Sequence, residues 1–201
     1  MTSDADGQRL FVAIDVPPAV AAALEEVQHE LRTALPDARI GWTRPEAMHL
    51  TLRFLGDVPV ERVRELGGSL EDAVAGFHPI DLVCAGLGVF PDARRPRVVW
   101  AGVGDERGRL RELAALVNLA TEDFAQRLAD ARFEGHVTIG RPKDLRRDDA
   151  ERLARSCSAA AHRRFGAWTA DTVHVVRSDL ASSGSRYSTI TRVDLRSPRP
   201  A

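Results

Sequence analysis

Two short stretches decide the fold of this chain: "MHLTLRFLG", residues 48–56, and "GHVTIGRP", residues 135–142. Each contains a histidine and a threonine two positions apart, interleaved with aliphatic residues. Because side chains alternate between the two faces of a β-strand, each histidine shares a face with its threonine. The aliphatic residues suit a core, whereas the polar pairs require water, a ligand or a cleft. The pairs are His49 with Thr51 and His136 with Thr138.

The segments around these stretches alternate between strand-like and helical patterns. Short β-branched and aromatic runs predict strands, and apolar stripes with helical spacing predict helices. The other predicted strands are residues 9–16, 38–43, 80–90, 95–104, 169–177 and 186–195. The predicted helices are residues 18–35, 60–75, 106–129 and 145–164.

One unit of element order occurs twice: a strand, a helix, a strand bearing His-x-Thr, and another helix. Duplicated α+β lobes follow from this order, each with helices on one face of its sheet and the other face open to a groove. We expect residues 9–196 to form a single bilobal domain. Residues 1–8 are predicted to be a disordered segment and residues 197–201 a flexible tail.

The composition is that of an ordinary globular protein, with 201 residues, 44% apolar and 28% charged. A net charge of -1 gives no overall attraction to nucleic acid, so any polyanion site must be a local basic patch. The two cysteines, Cys84 and Cys157, lack metal-ligand spacing and are expected to be buried free thiols. Since the N-terminus is acidic and no apolar run approaches membrane length, we expect neither a signal peptide nor a membrane span, and a cytoplasmic location.

Paired histidines are suited to acid–base chemistry near neutral pH. Two imidazoles on opposite sides of a phosphodiester can divide the work, one accepting a proton from the nucleophile and the other protonating the leaving oxygen. Threonine hydroxyls on the same faces can donate hydrogen bonds to the phosphate. Either motif alone is typical of an ordinary half-exposed strand, but the two together favour a joint site that needs no metal.

With these motifs the chain resembles the 2H phosphoesterase superfamily, in particular its RNA 2′,3′-cyclic phosphodiesterase branch, also known as bacterial 2′-5′ RNA ligases. The resemblance covers nearly the whole sequence. It is carried by "RLFVAIDVP", "PEAMHLTLRFLGDV", "GLGVFPDARRPRVVWAGV", "GHVTIGR" and "SDLASSGSRYSTI". It implies an α+β fold of two pseudo-symmetric lobes of antiparallel sheet, with helices outside and a central cleft.

The resemblance also implies a mechanism. His49 would be the proton donor and His136 the proton acceptor in opening an RNA terminal 2′,3′-cyclic phosphate to a 2′-phosphomonoester, without a metal or other cofactor. The implied partner is RNA with such ends, for example tRNA fragments, acted on by a monomer, and the reverse reaction would make 2′-5′ links. Gly135 departs from the family, which often has proline there, and a glycine is expected to hold His136 less firmly.

Several further side chains are candidates for substrate contact. By strand alternation Arg53 shares the face of His49, and Arg141 lies where the family usually keeps a basic residue. Arginines of a loop between two strands are suited to an RNA backbone, although charged loops are usually only solvated. The loop residues are Arg94, Arg95 and Arg97. Aromatic candidates for stacking on a base are Trp42, Phe54 and Tyr187, with a core role favoured for Phe54.

The remaining histidines are interpreted as structural: His29, His78, His162 and His174. Two alternatives to the RNA 2′,3′-cyclic phosphodiesterase stay open at this point. One is an enzyme for a small cyclic phosphate or a 2′-5′ oligonucleotide, since ligand size depends on loops around the cleft. The other is an RNA-end binding protein without turnover, which would have no need for paired proton-transfer groups.

Overall fold

The computed structural model describes residues 7–127, 132–181 and 184–195. In this part of the chain, four α-helices pack against a sheet of nine strands. The helices are α1 (Pro18–Ala34), α2 (Val63–Ala73), α3 (Arg109–Ala120) and α4 (Arg147–Ala159). The strands are β1 (Gly7–Asp15), β2 (Ile40–Trp42), β3 (His49–Pro59), β4 (Ile80–Phe90), β5 (Val98–Gly104), β6 (His136–Pro142), β7 (Arg164–Ala170), β8 (Thr172–Ala181) and β9 (Gly184–Asp194).

The sheet is antiparallel at every recorded pairing and runs β7-β4-β5-β6-β3-β1-β8-β9, with β2 paired to β6. This order is symmetric about its centre, so that β6 and β3 lie in the middle with three strands beyond each. The two halves meet at a single ladder pair, Leu50 with Val137. The predicted α+β fold with an antiparallel sheet is confirmed.

One continuous hydrophobic core joins the helices to the sheet and spans both halves. Helix α1 contributes an apolar stripe at helical spacing, Val20, Leu24, Val27 and Leu31, all of them buried. From the central strands, Leu50 and Val137 enter the same core with no exposed surface. The helices therefore cover one face of the sheet, which leaves the opposite face of β3 and β6 for other contacts.

Some element boundaries differ from the predicted ones. Helix α3 ends at Ala120 rather than near residue 129, because the β-branched Thr121 turns its hydroxyl back onto the Val117 carbonyl and a 3₁₀ turn follows. The predicted strand 169–177 is in fact two strands, because the chain leaves β7, which pairs with β4, at Asp171 and enters β8, which pairs with β1 in the other half of the sheet. Strand β1 begins at Gly7, so residues 7 and 8 are not part of a disordered segment; residues 1–6 and the predicted tail 197–201 lie outside the described residues.

Candidate active site

The two His-x-Thr motifs lie side by side on the central strands. Antiparallel continuation of the Leu50–Val137 pair places Thr138 opposite His49 and Thr51 opposite His136. Because Leu50 and Val137 point into the core, these four polar side chains lie on the other face of the sheet. All four are half-buried.

Each histidine is oriented by the same local contact. The Nδ1 atom of His49 lies 2.9 Å from the carbonyl oxygen of Ala47, and that of His136 lies 2.8 Å from the carbonyl oxygen of Glu134. A carbonyl can only accept, so Nδ1 carries the proton in both rings. Nε2 is then left to accept or donate a proton at the cleft face. The repeated contact gives the two rings equivalent orientations in the two halves.

Aromatic rings flank both histidines. The His49 ring contacts Phe11, at 4.6 Å between ring centroids, and Tyr187, at 5.0 Å in an edge-to-face arrangement, and these two aromatic rings also contact each other at 5.3 Å. The His136 ring contacts Phe90 edge-to-face at 5.1 Å and lies 6.3 Å from Trp100. These walls fix the imidazoles and partly exclude water from them.

The electrostatic environment of His49 connects the two halves of the site. Burial is the main cause that lowers its pKa below the usual value for histidine. The hydrogen bond to Ala47 and the charge of Asp15 oppose that shift, while the charges of Arg141 and His136 add to it. Both Arg141 and His136 are therefore close enough to act on His49, as one joint site requires.

Asp15 makes the two halves unequal. It pairs with His49 across β1 and β3, and its Oδ2 lies 3.0 Å from Nδ1 of His174. The contact with His174 is the main cause that lowers the Asp15 pKa, which keeps this carboxylate ionised. The residue opposite His136 is Gly102, which has no side chain to play the same part. A negative charge therefore adjoins His49 across the ladder and has no counterpart at Gly102.

β-Bulges after each motif change which side chains face the site. In β3, Val12 pairs with Arg53 although Ala13 pairs with Thr51, so one extra residue, Leu52, is inserted. The bulge moves Arg53 to the core side of the sheet. There it is buried, and its Nη2 donates a hydrogen bond to the Arg127 carbonyl oxygen at 2.6 Å. Simple alternation was wrong at Arg53, and this placement does not support its predicted contact with substrate.

The same bulge brings Phe54 to the site face instead. Phe54 is 62% exposed and lies 6.0 Å from Phe11, which itself contacts His49. The core role favoured for Phe54 is therefore wrong. In β6 the equivalent bulge follows Thr138, because Val99 pairs with Gly140 while Trp100 pairs with Thr138. It returns the exposed Arg141 to the face of Thr138, in agreement with its electrostatic effect on His49.

The basic loop adjoins His136. It begins directly after Phe90, whose ring contacts His136, and Asp92 holds its turn by accepting hydrogen bonds from the backbone N–H groups of Arg94 and Arg95. Arg94, Arg95 and Arg97 are all exposed.

The other candidates have separate environments. Trp42 is half-buried against the core under the Arg32 guanidinium, whereas Tyr187 is 37% exposed beside His49. The predicted buried thiols are confirmed: burial raises the pKa of Cys84 to about 12 and that of Cys157 to about 11. His174, interpreted from sequence as structural, is buried and lies against Asp15 as described above.

A cavity of about 520 Å³ opens beside His49. Phe11 and Tyr187 form its aromatic wall, and its carboxylates are those of Asp15, Glu25 and Glu46. Among the described residues, no group of three or more His, Cys, Asp or Glu side chains is placed to hold a metal ion. No helix of the described chain is both long and apolar enough to cross a membrane.

Sequence reasoning missed Asp15 and the aromatic residues Phe11, Phe90 and Trp100. Asp15 carried a usable signal, because alternation along β1 places it on one face with Phe11 and Ala13, opposite the core residues of that strand. A carboxylate at the end of a strand, on the face opposite the core, indicates a functional site when a His-x-Thr strand is predicted nearby. The rings around His136 depend on pairing between distant strands and had no comparable local signal.

A symmetric antiparallel sheet whose two halves each place a His-x-Thr strand at its centre, next to the other, defines a 2H phosphoesterase. The chain belongs to the LigT-like phosphoesterases of this class, and the model of that family matches residues 14–100. It is therefore an enzyme of the phosphoesterase type.

Relatives and solved structures agree with this membership. The chain is 32% identical over 200 residues to a protein of Thermus thermophilus named RNA 2′,3′-cyclic phosphodiesterase, covering 94% of this chain and 90% of the relative. It is 29% identical over 180 residues to a protein of the same name from Methanothermobacter thermautotrophicus, with 90% and 95% covered. The crystal structure of TT0787 from Thermus thermophilus superposes with a TM-score of 0.77 at 27% identity, over 95% of this chain and all of that one.

Proposed function

We propose that this protein hydrolyses RNA terminal 2′,3′-cyclic phosphates to 2′-phosphomonoesters by two-histidine acid–base catalysis. The observation that carries the proposal is the pairing of the two motifs across β3 and β6, with each Nε2 left available on the same face of the sheet. The names of the relatives supply the substrate class.

In the proposed reaction, Nε2 of His136 accepts a proton from a water molecule whose oxygen bonds to phosphorus. The bond between phosphorus and O3′ breaks, and O3′ receives a proton from Nε2 of His49. Each proton transfer is typically worth about 10²–10⁴ in rate. After product release, Nε2 of His136 carries a proton and Nε2 of His49 does not. Proton exchange with solvent then restores the starting state.

The neighbours of the histidines support these roles. Burial lowers the pKa of His49, and the ionised carboxylate of Asp15 opposes this shift in the direction that a donor needs, whereas Gly102 provides no such group at His136. Thr51 and Thr138 would donate hydrogen bonds to the non-bridging phosphate oxygens, and Arg141 would balance their charge. Arg53 is not part of this proposal.

The test is turnover of a panel of 2′,3′-cyclic phosphates, with ³¹P NMR to identify the product. RNA dinucleotides and nucleoside monophosphates with cyclic ends should give 2′-phosphomonoesters, and the rate should persist in EDTA because protons are moved by imidazoles alone. Loss of turnover in EDTA that a divalent ion restores would contradict the mechanism. Formation of 3′-phosphomonoesters would contradict the direction of ring opening.

We propose 2′-5′ ligation by the same two histidines as well. A 5′-hydroxyl takes the place of water beside His136, loses its proton to Nε2 and bonds to phosphorus. The bond between phosphorus and O3′ breaks as before, and O3′ receives its proton from His49, which leaves a 2′-5′ link. The exposed arginine loop adjoins that side of the site and could hold the second RNA. The monomeric state, the use of tRNA fragments and the cytoplasmic location predicted from sequence remain predictions.

A further inference from the structure

We infer that the cavity beside His49 binds the base of the terminal nucleotide and favours bases that carry an exocyclic amino group. The inference rests on the proposed function, because the direction of ring opening determines where the nucleoside lies. When O3′ leaves, it must be next to the proton donor, His49. The ribose that carries O3′ is then on the His49 side of the phosphate, and the attacking water is on the His136 side.

The cavity has the size and the walls that a base requires. Its volume of about 520 Å³ falls within the range of small-molecule sites, about 300–1,000 Å³. Phe11 and Tyr187 line it and both contact the His49 ring, so the cavity begins at the reacting group itself. Tyr187 is 37% exposed and provides flat apolar surface for a base, while the buried Phe11 supports the His49 ring from behind.

The charged residues of the cavity indicate that it binds a base and not a phosphate. Its lining includes Asp15, Glu25 and Glu46, and none of its described lining residues is an arginine or lysine. Three carboxylates repel phosphate groups, so this cavity is suited to the base of the terminal nucleotide rather than to the phosphates of the RNA chain. The carboxylates are suited to accept hydrogen bonds from an amino group of a neutral base.

Glu25 is the carboxylate best placed for this contact. Asp15 lies against His174, and Glu46 forms an ion pair with Arg44 at 3.5 Å. Within the described part of the chain no such partner is found for Glu25, which lies on the exposed side of α1 at the cavity. A hydrogen bond to its charged oxygen should distinguish cytosine, which has an amino group at C4, from uracil, which has an oxygen there.

The experiment compares cytidine and uridine 2′,3′-cyclic phosphates as substrates for the wild type, Glu25→Gln and Glu26→Gln. Glu26 is the matched control, since it is an exposed glutamate on the same helix that does not line the cavity. We expect kcat/KM of the wild type to favour cytidine by about tenfold, since hydrogen bonds to charged groups are among the stronger ones. Glu25→Gln should reduce this ratio by at least about threefold, and Glu26→Gln should leave it unchanged.

Calorimetric binding of cytidine and uridine 2′-monophosphates to the same three proteins provides a measurement independent of turnover. The inference would be overturned if wild-type kcat/KM and affinity were the same for the cytidine and uridine ligands. It would also be overturned if Glu25→Gln and Glu26→Gln changed the cytidine-to-uridine ratio alike. If neither cyclic phosphate is hydrolysed, the proposed function fails, whereas a cytidine preference in binding that Glu25→Gln abolishes would still support the base site.

Discussion

At the scale of single residues, the site depends on two imidazoles with the same orientation and different neighbours. Each has its Nδ1 proton held by the carbonyl two residues earlier, so the difference between a donor and an acceptor must come from the surroundings. His49 has a carboxylate across the ladder and His136 has a glycine. This asymmetry is the physical basis for giving the two rings different roles.

Replacement of either histidine by alanine should reduce kcat for a 2′,3′-cyclic phosphate by at least about 10². Both rings are on the open face of the sheet, so truncation should leave the fold intact. The double variant should lose less than the product of the single losses, because acid and base act on one transition state. His29→Ala, an exposed histidine on α1, is the control. Single variants with turnover near that of His29→Ala would refute the assignment.

Asp15→Asn should move the alkaline limb of the pH profile of kcat/KM to lower pH. The donor His49 must be protonated, so the rate falls as pH rises through its pKa. Burial already lowers this pKa below the usual value, and the negative charge of Asp15 opposes that shift. Removal of the charge lowers the pKa further, while asparagine keeps the size of the side chain that lies against His174.

The control for this substitution is Asp81→Asn, at an exposed aspartate of β4 that accepts a hydrogen bond from Thr169. Asp81→Asn should leave the alkaline limb of the pH profile at the same pH as in the wild type. A rate loss in Asp15→Asn that is equal at all pH values would mean that Asp15 only maintains structure and does not affect the ionisation of His49.

At the scale of elements, periodicity predicted most of the architecture. The long apolar stripe of α1 and the alternation in β1 and β3 are local features, so they were visible in the sequence. The bulges in β3 and β6 were not, because an inserted residue is defined only by the partner strand. The prediction for Arg53 failed for this reason: alternation holds up to Thr51 and breaks at the next residue.

The entry into β6 gives an element-level prediction about Gly135. A Cβ atom there would collide with the carbonyl oxygen of Val103 and lie 2.9 Å from Cδ2 of Leu110. Gly135 is therefore required by the close approach of two strands, where the sequence had indicated only a looser hold on His136. Gly135→Ala should lower the free energy of unfolding by about 1–3 kcal/mol and reduce kcat, because the strand must shift next to His136.

Gly104→Ala is the matched control, as a Cβ atom there has nothing within 4 Å. Urea unfolding and steady-state turnover of both variants check the prediction. If Gly135→Ala were as stable and as active as Gly104→Ala, the two strands would not be in close contact at this point.

At the scale of the whole molecule, two halves of a sheet meet at one ladder pair above a shared core. Because Leu50 forms that pair with Val137 and is fully buried, it joins the halves and supports the strand between His49 and Thr51. The core is continuous across the junction. We therefore expect the two halves to unfold as one cooperative unit.

Leu50→Ala tests this expectation. It should lower the free energy of unfolding by about 2–5 kcal/mol, since truncation leaves a cavity at the junction. Leu119→Ala, at a leucine of α3 that is 73% exposed, should change it by less than about 0.5 kcal/mol.

The three tryptophans all lie on strands β2, β5 and β7, so their fluorescence reports mainly on one half, while circular dichroism reports on both. Coincident urea transitions in the wild type and in Leu50→Ala are expected. Separate transitions in the wild type would show that the halves are independent and that the junction at Leu50 does not hold them together.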